Sequence, residues 1–131
     1  MPHITLEYSH NLEKRADLEA VARRVHEAAL ATGVLPEKGL RTRMERREVY
    51  HIADGHPDNA FVHVVVRLGH GRDQETRRRV GEAVFSALAD ALAEDQATNP
   101  LALSCEVQEI HPDLSWKRNN LLEWISKRTE G

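Results

Sequence analysis

The feature that most restricts this chain is a strand–helix–strand order that occurs twice. Ile4, Leu6 and Tyr8 alternate with His3, Thr5 and Glu7, the period-two signature of a strand with one buried face. From Glu13 to Thr32, Leu18, Val21, Ala22, Val25, Ala28 and Ala29 recur at helical spacing, until Gly33 stops the run and Pro36 follows. Residues 40–52 read as a second extended segment, with Leu40, Thr42 and Met44 alternating with Arg41, Arg43 and Glu45. The turn cluster Asp54-Gly55-His56-Pro57-Asp58 separates the halves. The order then returns: a β-branched strand from Phe61 to Leu68, a helix capped by Asp73 and running to about Ala93, and a strand from Leu101 to Ile110. Parallel strands need a crossover, and each half supplies one as a helix.

The predicted fold is therefore α+β: a double β-α-β plan giving a four-stranded mixed sheet with two helices on one face. A short C-terminal helix starts at Asp113 or Ser115 and runs through Trp124 to Lys127. The chain divides into halves of about 1–53 and 59–110 and a C-terminal segment 111–131, all within one domain 1–131. This layout leaves one sheet face without helices. Ile4, Leu6, Val62, Val64 and Val66 imply that sheet faces carry apolar side chains, so the bare face calls for cover, and self-association provides it.

Composition narrows the function classes. A chain of 131 residues suits one domain. With 18 basic and 21 acidic residues the net charge is −3, unlike a dedicated nucleic-acid binder, and 5% aromatics make a base-stacking platform a poor fit. A mean hydropathy of −0.56 and the lack of an apolar run near the ~18 residues of a membrane span argue against a membrane partner. The start, Met1-Pro2-His3-Ile4-Thr5, does not follow the basic-then-apolar order of a signal peptide, so a cytoplasmic location is expected. The single cysteine, Cys105, excludes an internal disulfide and reads as a small mid-strand hydrophobe.

Four groups of residues have chemical potential. Pro2 follows the initiator methionine and opens a strand; once that methionine is removed, its ring nitrogen is a secondary amine whose pKa burial and nearby cations would lower. Arg41 and Arg43, at i and i+2 of a strand, point to one side and either clamp an anionic ligand or form a solvated edge. Gly69-His70-Gly71-Arg72, between a strand and a helix, is either an anion-binding turn or a plain one. His51, Asp54, His56 and Asp58 include metal-ligand residue types, but they match no standard zinc spacing, and a tight turn explains them better. No metal is expected there.

These features together resemble the tautomerase superfamily and, within it, the 5-carboxymethyl-2-hydroxymuconate Δ-isomerase family. The resemblance is carried in order by Met-Pro-His at 1–3, Ala-Thr-Gly at 31–33, Gly-Leu-Arg-Thr-Arg at 39–43, Ala-Asp-Gly at 53–55 and Ala-Phe-Val-His at 60–63. It continues with Gly-Arg at 71–72, Leu-Ala-Leu-Ser at 101–104, Glu-Ile-His-Pro at 109–112 and Lys-Arg-Asn-Asn at 117–120. It implies a cofactor-free isomerase of homoprotocatechuate breakdown, acting as a homotrimer on a small polycarboxylate dienol. Pro2 and Arg41 are its implied catalytic residues, with Arg43, Arg72 and Trp116 binding substrate. Trp116 is either an apolar wall of the site or packing for the last helix. The sequence departs from the pattern in the charged run Met44-Glu45-Arg46-Arg47-Glu48 and in having Trp116 where relatives carry phenylalanine; both bear on substrate fit. The alternatives are a related tautomerase or dehalogenase acting on another small unsaturated carboxylate, or a non-catalytic trimeric binding protein.

Overall fold

The structure, a computed structural model, describes residues 1–130. Its strands are β1 (His3–Ser9), β2 (Arg41–Arg47), β3 (Ala60–Gly69) and β4 (Leu101–Ile110). Its helices are α1 (Leu18–Ala31), α2 (Gln74–Ala91), α3 (Ala93–Thr98) and α4 (Leu121–Glu130), with short 3-10 turns at His10–Lys14 and Pro112–Leu114. The sheet order is β2-β1-β3-β4. β1 runs parallel to β2, β3 parallel to β4, and β1 antiparallel to β3, so two β-α-β units meet back to back at the sheet centre.

Period-two alternation decides which face is buried. Ile4 pairs with Val66, Leu6 with Val64 and Tyr8 with Val62, and all six lie in the core beneath the helices. Val21, Val25 and Ala29 of α1 and Val80, Val84 and Leu88 of α2 close over them. Asp17 caps α1 by accepting from the Ala20 N–H at 3.2 Å, and Asp73 caps α2 by accepting from the Thr76 N–H at 2.8 Å. Gly33 takes φ +73° just past α1, the left-handed turn that glycine adopts without steric cost. At Gly81, an added Cβ would lie 3.0 Å from Val107 Cγ2, so this glycine lets α2 approach β4.

The structure corrects one expectation directly. Ile4, Leu6, Val62, Val64 and Val66 all lie on the helix-covered face. The residues alternating with them on the open face include Thr5, Glu7, Arg43, Glu45, His63, Arg67, Ser104, Glu106 and Gln108. That face is polar and charged, with Val65 and Phe61 as apolar exceptions, so it does not demand hydrophobic cover.

Boundaries differ in places for identifiable reasons. The first helix begins at Leu18, because a 3-10 turn and the Asp17 cap occupy the preceding residues. The segment expected over 40–52 stops at Arg47, where its partner β1 ends at Ser9. The second helix breaks at Leu92 and resumes as α3. The last helix begins at Leu121, not at Asp113 or Ser115. Among the described residues, no helix is long and apolar enough to cross a membrane.

Candidate active site

The sheet brings residue 1 and the start of β2 together. The parallel register sets His3 beside Arg41, and the Arg41 N–H donates to the Pro2 carbonyl at 3.3 Å. Pro2 itself is buried. The segment leading into β2 turns tightly under it: the Gly39 N–H donates to the Pro36 carbonyl at 3.1 Å, and a Cβ at Gly39 would stand 3.5 Å from Pro2 Cδ. Residue 1 therefore rests on folded chain.

Positive charge gathers around it. Arg41 Nη1 lies 3.3 Å from Met1 Sδ and donates to the Gly39 carbonyl at 3.2 Å. Arg72 donates to the carbonyls of Gly69 at 3.1 Å and Val34 at 3.4 Å, which anchors its guanidinium between the two halves of the chain. A cavity of about 310 Å³ opens beside Met1, lined also by Gly69, His70, Ile110, His111, Ser115 and Lys117. Burial, then the charges of Lys117, Arg41 and Arg72, hold the chain's amino group below its ordinary pKa. The physics is simple: a cation is disfavoured where solvent is reduced and other cations are near.

The remaining arginines of β2 behave differently. Arg46 is paired with Glu13 and Glu48, and Arg47 with Glu7 at 2.7 Å and Glu45 at 2.8 Å. Among the described residues, Arg41, Arg43 and Arg72 have no carboxylate partner, so their charge remains available to an anionic ligand. Arg43 and Arg41 do not close on one point. Arg43 Nη1 sits 3.0 Å from His3 Nδ1, while Arg41 turns towards residue 1. Burial, Arg43 and Arg41 together lower the pKa of His3.

Trp116 is 84% exposed and does not line the cavity within a single chain, although its neighbours Ser115 and Lys117 do. The Gly69–Arg72 turn is stitched to β4 rather than left open: His70 Nδ1 lies 3.4 Å from Glu109 and the Gly71 N–H donates to it at 3.4 Å, while Asp73 fills the helix N-terminus. Asp54 accepts from the His56 and Asn59 N–H groups, and His56 Nδ1 from the Asp58 N–H, so their polar atoms serve the turn. Cys105 faces α2, and burial pushes its thiol up to about 11. Lys117, Asn119 and His111 stand near residue 1 with no role assigned to them by sequence. The stretch 117–120 supports the resemblance, but spacing gives no hint that it folds back over the chain start.

The chain is similar to known proteins in sequence and in fold. Residues 2–125 match the family described as 5-carboxymethyl-2-hydroxymuconate isomerase. The chain is 37% identical to the 5-carboxymethyl-2-hydroxymuconate Delta-isomerase of Escherichia coli over 121 residues, 92% of this chain and 96% of that one. A crystal structure of a 5-carboxymethyl-2-hydroxymuconate isomerase from Deinococcus radiodurans R1 superposes with a TM-score of 0.87 at 34% identity, covering 95% of this chain and 93% of that one. A member of the cis-3-chloroacrylic acid dehalogenase family shares the fold at 16% identity, with a TM-score of 0.59, 95% of this chain and 90% of that one. Sequence and structure matches that span nearly the whole chain, from the buried Pro2 to α4, place this protein in the 5-carboxymethyl-2-hydroxymuconate isomerase family.

Proposed function

We propose that this chain is a cytoplasmic isomerase that shifts a double bond in 5-carboxymethyl-2-hydroxymuconate during homoprotocatechuate breakdown. The observation that carries this reading is the buried chain start ringed by Arg41, Arg72 and Lys117. An amine there is kept towards its neutral, proton-accepting form, as a base working near neutral pH requires.

Removal of Met1 exposes the ring nitrogen of Pro2. With Met1 attached that nitrogen is a tertiary amide and has no basic lone pair. The freed nitrogen takes the proton from the dienol oxygen of the substrate. The resulting dienolate spreads negative charge along the conjugated chain to its carboxylates, where Arg41 stabilises it. The protonated ring then returns its proton to the far carbon, which moves the double bond into conjugation with the new ketone. Protons and electrons balance within substrate and Pro2, so the step consumes no cofactor. Arg43 and Arg72 hold substrate carboxylates, and Trp116, between two residues that line the cavity, screens the site from water in a homotrimer.

Mass spectrometry of the purified protein, followed by an ultraviolet assay on the dienol tricarboxylate, tests the reading. Loss of methionine with rapid turnover is the expected result. Retained methionine with no turnover would favour a non-catalytic trimeric binding protein; methionine loss with turnover of other small unsaturated carboxylates only would favour a related tautomerase or dehalogenase.

A further inference from the structure

Two nitrogen donors converge on an atom ill suited to receive them. Met1 Sδ lies 3.3 Å from Arg41 Nη1 and 3.2 Å from Asn119 Nδ2. A thioether sulfur is a weak acceptor. A guanidinium and an amide NH₂ converging on one point match a carboxylate oxygen far better.

Both donors are held in place. Arg41 Nη1 donates also to the Gly39 carbonyl, and Asn119 Nδ2 lies 3.4 Å from the Lys38 carbonyl, so the same short segment before β2 steadies them. The other end of the Asn119 amide is engaged: Oδ1 accepts from the Leu121 N–H at 2.8 Å. This bond fixes the amide with its NH₂ towards residue 1. Lys117, two residues earlier on the same arm, lines the cavity beside Met1. It has no carboxylate partner among the described residues.

We propose that Asn119 and Lys117 are substrate-binding residues, which with Arg41 hold a substrate carboxylate where the Met1 thioether lies. This rests on the function proposed above, because methionine removal frees that position. Processing then does two things in one event: it bares the ring nitrogen and opens the adjoining carboxylate site. A chain that retains Met1 fills its own anion site with its own side chain.

Calorimetric titration with propane-1,2,3-tricarboxylate tests this apart from turnover, since the saturated probe cannot be isomerised. The samples are processed protein, protein made with methionine aminopeptidase inhibited so that Met1 remains, Asn119→Asp and Lys117→Met. Asn119→Asp keeps the oxygen that accepts from Leu121 but replaces the donor with a repelling carboxylate. A charge-assisted hydrogen bond of about 1.5–3 kcal/mol predicts at least tenfold weaker binding in Asn119→Asp and in the Met1-retaining form. Lys117→Met, at an exposed position, should weaken binding about fivefold or more, with the oligomeric mass of the variant checked beside it. The dienol assay should show the loss mainly in KM. Equal binding by processed wild type and both variants, or no binding by wild type, overturns the proposal. Variant-sensitive probe binding without dienol turnover would overturn the isomerase reading and leave this site standing. Turnover insensitive to both substitutions would do the reverse.

Discussion

In the proposed mechanism Arg41 has two duties, to meet a substrate carboxylate and to face charge that grows in the dienolate. On that reading Arg41→Ala should lower kcat/KM by roughly 10²–10³-fold, the usual cost of removing one preorganised donor. Arg41→Lys should recover little of this, because an ammonium lacks the planar fork; recovery to near wild-type rates in the ultraviolet assay would reduce Arg41 to a point charge. His3 carries a separate prediction. Burial, Arg43 and Arg41 lower its folded pKa from 6.5, so the unfolded chain binds the proton more readily. The stability this neutral imidazole contributes is complete above pH 6.5 and is lost as pH falls from there through the lowered folded value. His3→Gln should flatten that part of a plot of Tm against pH, and an unchanged slope would assign it to other groups. The adjacency of Pro2 and Arg41 was legible in sequence because both are fixed by position, one at the chain start and one on the strand beside it. Lys117 and Asn119 were not legible. They reach residue 1 only because the arm after β4 folds back across the sheet end, and no local periodicity encodes that.

Between elements, one ion pair ties the first half of the chain to the second. Arg15, in the turn before α1, donates to both carboxylate oxygens of Asp95 on α3, at 2.9 and 2.6 Å, and also to the carbonyls of Asp58 and Pro100. The side chains are only 16% and 6% exposed. Asp95→Ala leaves a largely buried guanidinium without its counter-charge and should cost about 3 kcal/mol in urea unfolding. Asp73→Ala removes the α2 cap and should lower the urea midpoint, while Asp73→Ser should restore most of the loss; a Ser variant as unstable as Ala would mean the carboxylate's charge matters more than the cap. These same residues show what the sequence could and could not disclose. Asp73 before a periodic apolar run was readable as a cap. The Arg15–Asp95 pair, eighty residues apart in sequence, was not, and with it went the late start of α1 and the separate turn of α3. The two central strands were readable because they are buried on one face along their full length. The edge strand β2 was overextended because Glu48–Ile52 keep extended-type residues after β1 has run out of partners.

The homotrimer implied by the proposed function would draw on two surfaces of the chain. The helix-free sheet face is charged with mixed sign: His3, Arg41 and Arg67 share the row at one end, Arg43 and Glu106 share the next open-face row, and Glu7 and Glu45 follow with Arg47 paired to both. Past β4, Leu114, Trp116, Leu121, Leu122 and Trp124 are all between 40% and 84% exposed, an unusual density of large apolar groups for one short segment. A homotrimer that packs the polar faces inward and seats each arm on a neighbour satisfies both. In such a trimer the inner face would be held by charge and the arm by apolar burial, so the two contributions would respond differently to solution conditions. Sedimentation equilibrium should give about three times 14.9 kDa, and moderate salt should loosen but not abolish the assembly, since screening weakens the face and spares the arm. A chain ending at Ile110 should sediment as a monomer at the same concentration. The two tryptophans of the sequence, Trp116 and Trp124, both lie in this segment, so their emission should move to the red as the full-length trimer is diluted into monomers. Turnover should fall along the same dilution curve if Trp116 screens the site only in the assembly. Emission that stays constant while the mass drops would show that the arm lies outside the subunit contact, and the wall assigned to Trp116 would go with it.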